Sequence, residues 1–416
     1  MKEDKPSHLI LTIILCLNAG IILFPSNFKF IPIVFLVFFS FYCFKKTKKM
    51  NVFYFVFAST PYFLLIVGMF YTKNITYGIK FLETEFSLLL YPLCFALLPK
   101  ELLKWQVNNR LNYILGVFCF SIFIFSSCAF LYFIIFENRS LDYVIQHYNI
   151  LIDKSIYPKY QIHSIYLALN VGISLIFSFF LIKKQKKYIL KLLTLINILF
   201  AILLLAFLNK RMAIIALFIV FLIHVVLELK KIRIKKLTLV YYVALSAVVI
   251  IGVIFMPRYK NQNSFHEFNN IVTTINDPET SIGKRVFLYK SAFKLFLKNP
   301  LLGVGTGDAN EKLSNELAIL LQTKSENYNT HNQYLSYLIS LGLFGFIIFI
   351  CYIFYVLKIS LISNEVLMFY LFVFLCLNMM SENILERESG VLIYAFFLNF
   401  FLKLNLNSDN KSIKLK

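Results

Sequence analysis

Charge is scarce in this 416-residue chain: only 15% of residues are Asp, Glu, Lys or Arg. Acids are scarcer still, 21 against 42 basic residues. Soluble domains carry about 25% charge and about 45–50% apolar residues. Here the apolar share is 59% and the mean hydropathy +0.73, which points to a bilayer as solvent. The seven cysteines (Cys16, Cys43, Cys94, Cys119, Cys128, Cys351, Cys376) all lie in apolar segments, in no CxxC or Cys/His spacing. A zinc site or a disulfide framework is therefore not expected. There is no internal repeat and no inverted symmetry. The net charge of +21 would suit nucleic acid in a soluble protein. Here the basic runs flank apolar stretches, so they read as membrane anchors and topology signals, with no nucleic-acid partner.

What the chain has is long apolar runs. Segments able to span lie at about 8–24, 29–44, 52–71, 85–99, 112–136, 164–182, 188–208, 212–229, 237–256, 333–357, 363–380 and 389–402. The fourth is short, contains Pro92, and could begin near Tyr77, which would put Glu83 and Glu85 at the interface. The first follows Lys2 and Lys5 without a clear cleavage site and reads as a retained signal anchor. The expected fold is all-α: a polytopic membrane helix bundle of about twelve transmembrane helices with one large, mostly helical outside loop.

Basic residues follow every second span: Lys45, Lys46, Lys48 and Lys49; Lys100, Lys104 and Arg110; Lys183, Lys184, Lys186 and Lys187; Lys230, Lys231, Arg233, Lys235 and Lys236; then Lys411, Lys414 and Lys416. This alternation places both termini in the cytoplasm. It divides the chain into 1–256 (nine spans, with an outside loop at about 137–163), a large outside loop at 257–332, and 333–416 (three spans and a tail). Within the large loop, a basic amphipathic helix from Lys284 to Lys298 is stopped by Asn299 and Pro300. A glycine turn, PLLGVGTGD, follows. Asp308 with Glu311 reads as a capping box for a second helix, with Leu313, Leu317, Leu320 and Leu321 on one face.

Few residues on the outside can carry chemistry. Asn209-Lys210-Arg211 must form a tight hairpin, because 188–229 is too long for one span. An arginine at mid-bilayer would cost about 2.5–3.5 kcal/mol, so Arg211 belongs at the surface, either as a simple stop or as a functional cation. Arg285, with Lys284, Lys290, Lys294 and Lys298 nearby, either rests on anionic headgroups or grips a diphosphate. His331 opens the tenth span. A helix N-terminus disfavours imidazolium, so this ring is either a polar cap or a neutral base. His163 stands similarly before the sixth span. GVGTGD lacks the Lys of a phosphate-binding loop and reads as a turn. Gly342 and Gly345 read as sites of close packing. Glu382, Glu386, Arg387 and Glu388 share a short outside connection, either paired with the basic loop or solvated.

The stretch GKRVFLYKSAFKLFLKNPLLGVGTGD, followed by THNQYLSYLISLGLFGF, resembles the O-antigen ligase / O-antigen polymerase superfamily. The matching parts are Arg285 opening a loop helix, the turn Asn299 to Gly305, the motif His331 to Leu335, and the pair Gly342 and Gly345. FLNKRMAIIAL is similar to the family's hairpin arginine, at Arg211, and HSIYLAL to its His-x-x-Tyr span start, at His163 and Tyr166. Lys210 stands where the family commonly has Ser or Thr, and Ser340 where an acidic residue often precedes the glycine pair.

The resemblance implies a glycosyltransferase of the bacterial inner membrane. It would move a glycan from an undecaprenyl-diphosphate carrier to an acceptor, lipid A–core for ligases and another lipid-linked repeat for polymerases, with no cofactor and no metal. Catalytic roles would fall to His331, Arg285 and Arg211. Weaker diphosphate or glycan contacts would come from Lys210, Lys284, His163, Tyr166 and Asn332. The alternatives are a repeat-unit polymerase and, in another class, a lipid-linked glycan transporter or flippase. A transporter would place ionisable groups inside its spans and often show repeat symmetry; here the spans contain almost no acids, the polar constellation is external, and no repeat is seen. The expected partners are the lipid-linked donor, the glycan acceptor and membrane lipids.

Overall fold

The computed structural model describes residues 5–154, 160, 162–231, 271–323, 326, 328–362 and 366–406. Among them there are 17 α-helices and no strand. In hydrocarbon every backbone N–H and C=O must be satisfied within the chain, and a helix does that locally. In order, the helices are α1 (Lys5–Ala19), α2 (Phe30–Thr47), α3 (Val52–Ala58), α4 (Thr60–Met69), α5 (Ile75–Glu85), α6 (Ser87–Leu97), α7 (Lys100–Ile135), α8 (Leu141–Asp153), α9 (Ser164–Lys184), α10 (Tyr188–Leu208) and α11 (Arg211–Lys231). After them come α12 (Ile271–Asn276), α13 (Ser281–Lys298), α14 (Ala309–Leu321), α15 (Gln333–Ile362), α16 (Val366–Met379) and α17 (Glu388–Asn405). The chain is a polytopic helical membrane bundle.

By length and composition, five helices among the described residues can cross a bilayer, or six if α3 and α4 count as one span bent by 64°. The break comes at Ser59-Thr60-Pro61, where proline has no N–H to continue the ladder. Shorter apolar helices stand at α1, α6, α11 and α16, so the count of twelve is not reached by this measure. The ninth expected span, 237–256, lies outside the described residues.

Helix α9 is the most enclosed of the long spans, and α17 is buried along nearly its whole length. Between apolar helices, packing and buried hydrogen bonds supply the attraction that water supplies elsewhere. Asn197 on α10 donates to Ser174 and Ser178 on α9, at 3.1 and 2.9 Å. Phe118, Phe177 and Phe397 join α7, α9 and α17 edge to face, with ring centroids 4.9–5.4 Å apart.

The expected glycine turn has a second role. Helix α15 is broken at Gly342, whose φ of 62° and ψ of −165° suit only glycine. The 299–305 turn fills the break. Val304 and Gly305 donate to Ile339 O and Ser340 O, both at 2.9 Å, and Leu343 donates to Pro300 O at 2.8 Å. Phe344 donates to Leu301 O at 3.3 Å. These bonds satisfy groups that the broken helix leaves open. A Cβ on Gly342 would lie 2.3 Å from Leu301 O, so the close packing expected of this glycine is against loop backbone.

The capping-box expectation is corrected. Asp308 makes no side-chain cap on α14. Its carboxylate instead accepts the N–H groups of Lys73 and Asn74, at 3.1 and 2.7 Å, and lies 3.2 Å from the Lys312 amine. Burial works to raise this carboxyl's pKa, but the two N–H donors and Lys312 outweigh it and hold it below the ordinary value. Asp308 thus ties the 271–323 loop to the α4–α5 connection. Glu85, expected at an interface, is buried at the end of α5. Leu313 and Leu317 do form an apolar face, packed on Leu288, Ala292 and Leu295 of α13.

Candidate active site

Five chain segments meet at one end of the bundle. Thr280 caps α13 by accepting the Gly283 N–H at 3.0 Å, and Arg285 follows in the first turns, half-buried. On the same helix, the Tyr289 hydroxyl donates to Met380 O at 3.3 Å and to His331 O at 3.5 Å, fixing α13 beside the start of α15. The hairpin forms as the sequence requires: α10 ends at Leu208, Asn209 turns the chain with φ 52°, and α11 begins at Arg211. Lys210 at its tip is half-buried.

His331 adopts φ 47°, an uncommon conformation for a side chain of this size. Its Nδ1 lies 3.3 Å from Glu382 Oε2, across 51 residues. Glu382 is itself buried. Burial alone would raise its pKa, but the His331 hydrogen bond and the charges of His331, His163 and Arg285 hold it below the ordinary carboxylate value. An ionised carboxylate can only accept, so Nδ1 is the donor in this pair, and a neutral ring held this way has its basic lone pair on Nε2. That tautomer is the one a general base needs.

A second histidine–carboxylate pair stands close by. His163 Nδ1 lies 3.7 Å from Asp153 Oδ1. Burial pushes the His163 imidazole below its usual value; Asp153 and Glu382 oppose this, while Lys210 and Arg387 add to it. Burial and Arg285 likewise lower the Lys210 amine, against Asp153 and Glu382. Below the cluster, burial raises the Glu386 carboxyl to about 6, although it accepts the Ser336 hydroxyl.

The structure therefore brings together His331, Arg285, Lys210 and His163, through their shared interactions with Glu382. Arg211 enters by adjacency, as the first residue of α11, half-buried. Tyr166 donates to Asn383 O at 3.2 Å, beside Glu382. Lys284 donates to Tyr328 Oη at 3.2 Å, with its amine 4.2 Å from the ring centre. Asn332 caps α15, accepting the N–H groups of Tyr334 and Leu335 at 3.0 and 3.1 Å. Sequence reading missed Asp153 altogether and left Glu382 between pairing and solvation. The one usable signal was the rarity of acids: in a chain with 21, three within residues 382–388 invite scrutiny.

A buried carboxylate bonded to a histidine, with arginine and lysine within charge range, makes a candidate site at one end of this membrane bundle suited to an anionic leaving group. Residues 196–350 match the family model described as O-antigen ligase. The match over this stretch supports the O-antigen ligase/polymerase superfamily, whose members are glycosyltransferase-like enzymes. No curated protein matches the chain. The matched stretch includes Lys210, Arg211, Arg285 and His331, and leaves out Asp153, His163 and Glu382.

Proposed function

We propose that the chain is an O-antigen ligase-type glycosyltransferase of the bacterial inner membrane, with its site at the periplasmic face and both termini in the cytoplasm. The donor is a glycan on undecaprenyl diphosphate, and the acceptor a hydroxyl of lipid A–core. The observation that carries this reading is the His331–Glu382 pair beside Arg285 and Lys210.

His331 Nε2 takes the proton of the acceptor hydroxyl as its oxygen attacks the anomeric carbon. The bond from that carbon to the diphosphate oxygen breaks, and undecaprenyl diphosphate leaves with the electron pair. Attack opposite the leaving group inverts the anomeric centre. Arg285 and Lys210, with Arg211 on the same hairpin, stabilise the charge that develops on the diphosphate. General-base catalysis of this kind contributes about 10²–10⁴-fold. Arginine can hold two diphosphate oxygens through parallel hydrogen bonds.

Deleting the gene and profiling lipid-linked glycans tests the assignment. Long polymer accumulating on the undecaprenyl carrier, with lipid A–core left bare, is the expected result. Loss of polymer with single repeat units remaining would instead assign the chain as a polymerase.

A further inference from the structure

The proposed reaction uses the end of α13 that carries Arg285 and leaves the other end without a role. That end turns large apolar side chains outwards: Phe293, Leu297, Leu301 and Leu302 are each 55–59% exposed. The spacing of four puts Phe293 and Leu297 on one face of the helix, and Leu301 extends the stripe past the stop at Asn299. The opposite face, Leu288, Ala292 and Leu295, is buried against α14. Lys290 and Lys294 flank Phe293, both exposed, and neither forms an ion pair among the described residues. Lys298 is already paired with Glu316.

Two span ends set the depth of this stripe. A bilayer core takes about 20 helical residues, and counting back that far from Lys358, towards the far end of α15, reaches Leu338. Gly342 therefore lies about one turn, or about 6 Å, inside the core boundary. The 299–305 turn is bonded into the break there, with Leu343 and Phe344 donating to Pro300 O and Leu301 O. Next to this turn, Thr306 meets the last turn of α4, its N–H on Gly68 O at 3.3 Å and its hydroxyl on Leu65 O at 2.8 Å. The segment suits that depth. From Asn299 to Gly307 it holds no charged residue. The N–H groups of Gly303, Val304, Gly305, Thr306 and Gly307 are all bonded within the protein, as backbone in hydrocarbon must be. Leu343 and Phe344, themselves exposed, carry the apolar stripe onward onto the span.

We infer that the tip of the 271–323 loop, the 299–305 turn with the last turn of α13, is inserted into the leaflet on the side of the site. Leu301 and Leu302 reach about one turn into its hydrocarbon, Leu297 lies at the boundary, and Phe293 lies among the headgroups. Lys290 and Lys294 stand at headgroup height, where their charge fits the phosphates of anionic phospholipid. Interfacial helices bury an apolar face about 5–10 Å deep beneath a basic polar face, which is the depth and charge pattern found here. The inserted tip anchors the helix whose other end presents Arg285 above the surface. This inference uses the membrane bundle and is independent of the reaction proposed above.

The test reads depth by fluorescence quenching. Trp105 is the chain's one tryptophan, so in a full-length Trp105→Phe background a single reporter can be placed by Leu297→Trp or Leu301→Trp. Glu279→Trp, just before the other end of α13 and exposed, is the control. Each protein is reconstituted in phosphatidylethanolamine vesicles containing phospholipid brominated in its acyl chains. Leu297→Trp and Leu301→Trp should lose most of their emission, and Glu279→Trp should keep its own. A lysine near the surface favours anionic lipid by about fivefold. Brominated phosphatidylglycerol should therefore quench Leu297→Trp at least about twofold more than brominated phosphatidylethanolamine at equal fraction. Lys290→Gln with Lys294→Gln should remove that difference. Unquenched reporters at 297 and 301 overturn the insertion, and that is the outcome if a second copy or another protein covers the stripe. Equal quenching by the two lipids with both lysines present overturns the headgroup contact. Should Leu301→Trp fail to fold, Leu297→Trp alone decides. A protein quenched as expected but without glycan transfer would retain the insertion and refute the proposed reaction.

Discussion

Replacing Gly342 with alanine probes how the loop helix carrying Arg285 is held to the helix that begins beside His331. At φ 62° and ψ −165° a side chain is strained by about 1–3 kcal/mol. The new Cβ would also sit 2.3 Å from Leu301 O and 2.5 Å from Gly303 N, both backbone atoms that cannot swing aside. If the turn is expelled instead, four backbone hydrogen bonds at the break are lost, at about 0.5–1.5 kcal/mol each. Either route costs at least about 2 kcal/mol, which for a chain of this length lowers the thermal midpoint by about 2 °C or more. Transfer should fall further than stability, because expelling the turn shifts α13 and with it Arg285. Gly116→Ala is the control: its Cβ meets nothing within 4 Å, and alanine should add up to about 1 kcal/mol of helix stability. A Gly342→Ala protein with the wild-type midpoint and rate would refute the clamp.

Other outcomes follow from the same contacts. Glu382→Gln should reduce transfer at least about tenfold with the thermal midpoint retained, since an amide can present its NH2 to Nδ1 and favour the wrong tautomer; unchanged rates would remove Glu382 from the base. Arg285→Lys should impair transfer strongly, because lysine cannot make the bidentate contact, and full activity would reduce Arg285 to a surface anchor. Asp308→Asn should cost about 1–3 kcal/mol of stability at neutral pH. The Asp308 carboxyl is depressed in the folded state, so its contribution is complete above the ordinary carboxylate value and lost as pH falls through the folded value. The difference between wild type and Asp308→Asn in thermal scans should therefore shrink in acid, and a constant difference would contradict it.

Much of the scaffold was legible because its signals are local. Apolar length locates α2, α7, α9 and α10, and the polar interruption at 209–211 forces the α10–α11 turn. The stop at Asn299-Pro300 ends α13 as expected. The cations and His331 stood out as polar residues at span ends. What could not be read is tertiary pairing. The Asp308–Glu311 spacing fits a capping box, yet Asp308 is drawn to two N–H groups more than 230 residues away. Glu382 reaches His331 across 51 residues, and no periodicity encodes that contact. Gly342 was legible as a packing glycine, but its partner, the 299–305 turn, emerges only when the loop folds back into the broken helix.

The most direct measurement of the account is transfer by the purified protein in proteoliposomes, supplied with undecaprenyl-diphosphate-linked glycan and lipid A–core and no nucleotide. Wild type should attach glycan to lipid A–core, and His331→Ala should lose about 10²–10⁴-fold of that rate while keeping its expression and thermal midpoint. Transfer by His331→Ala at the wild-type rate would contradict the assignment of His331 as the base.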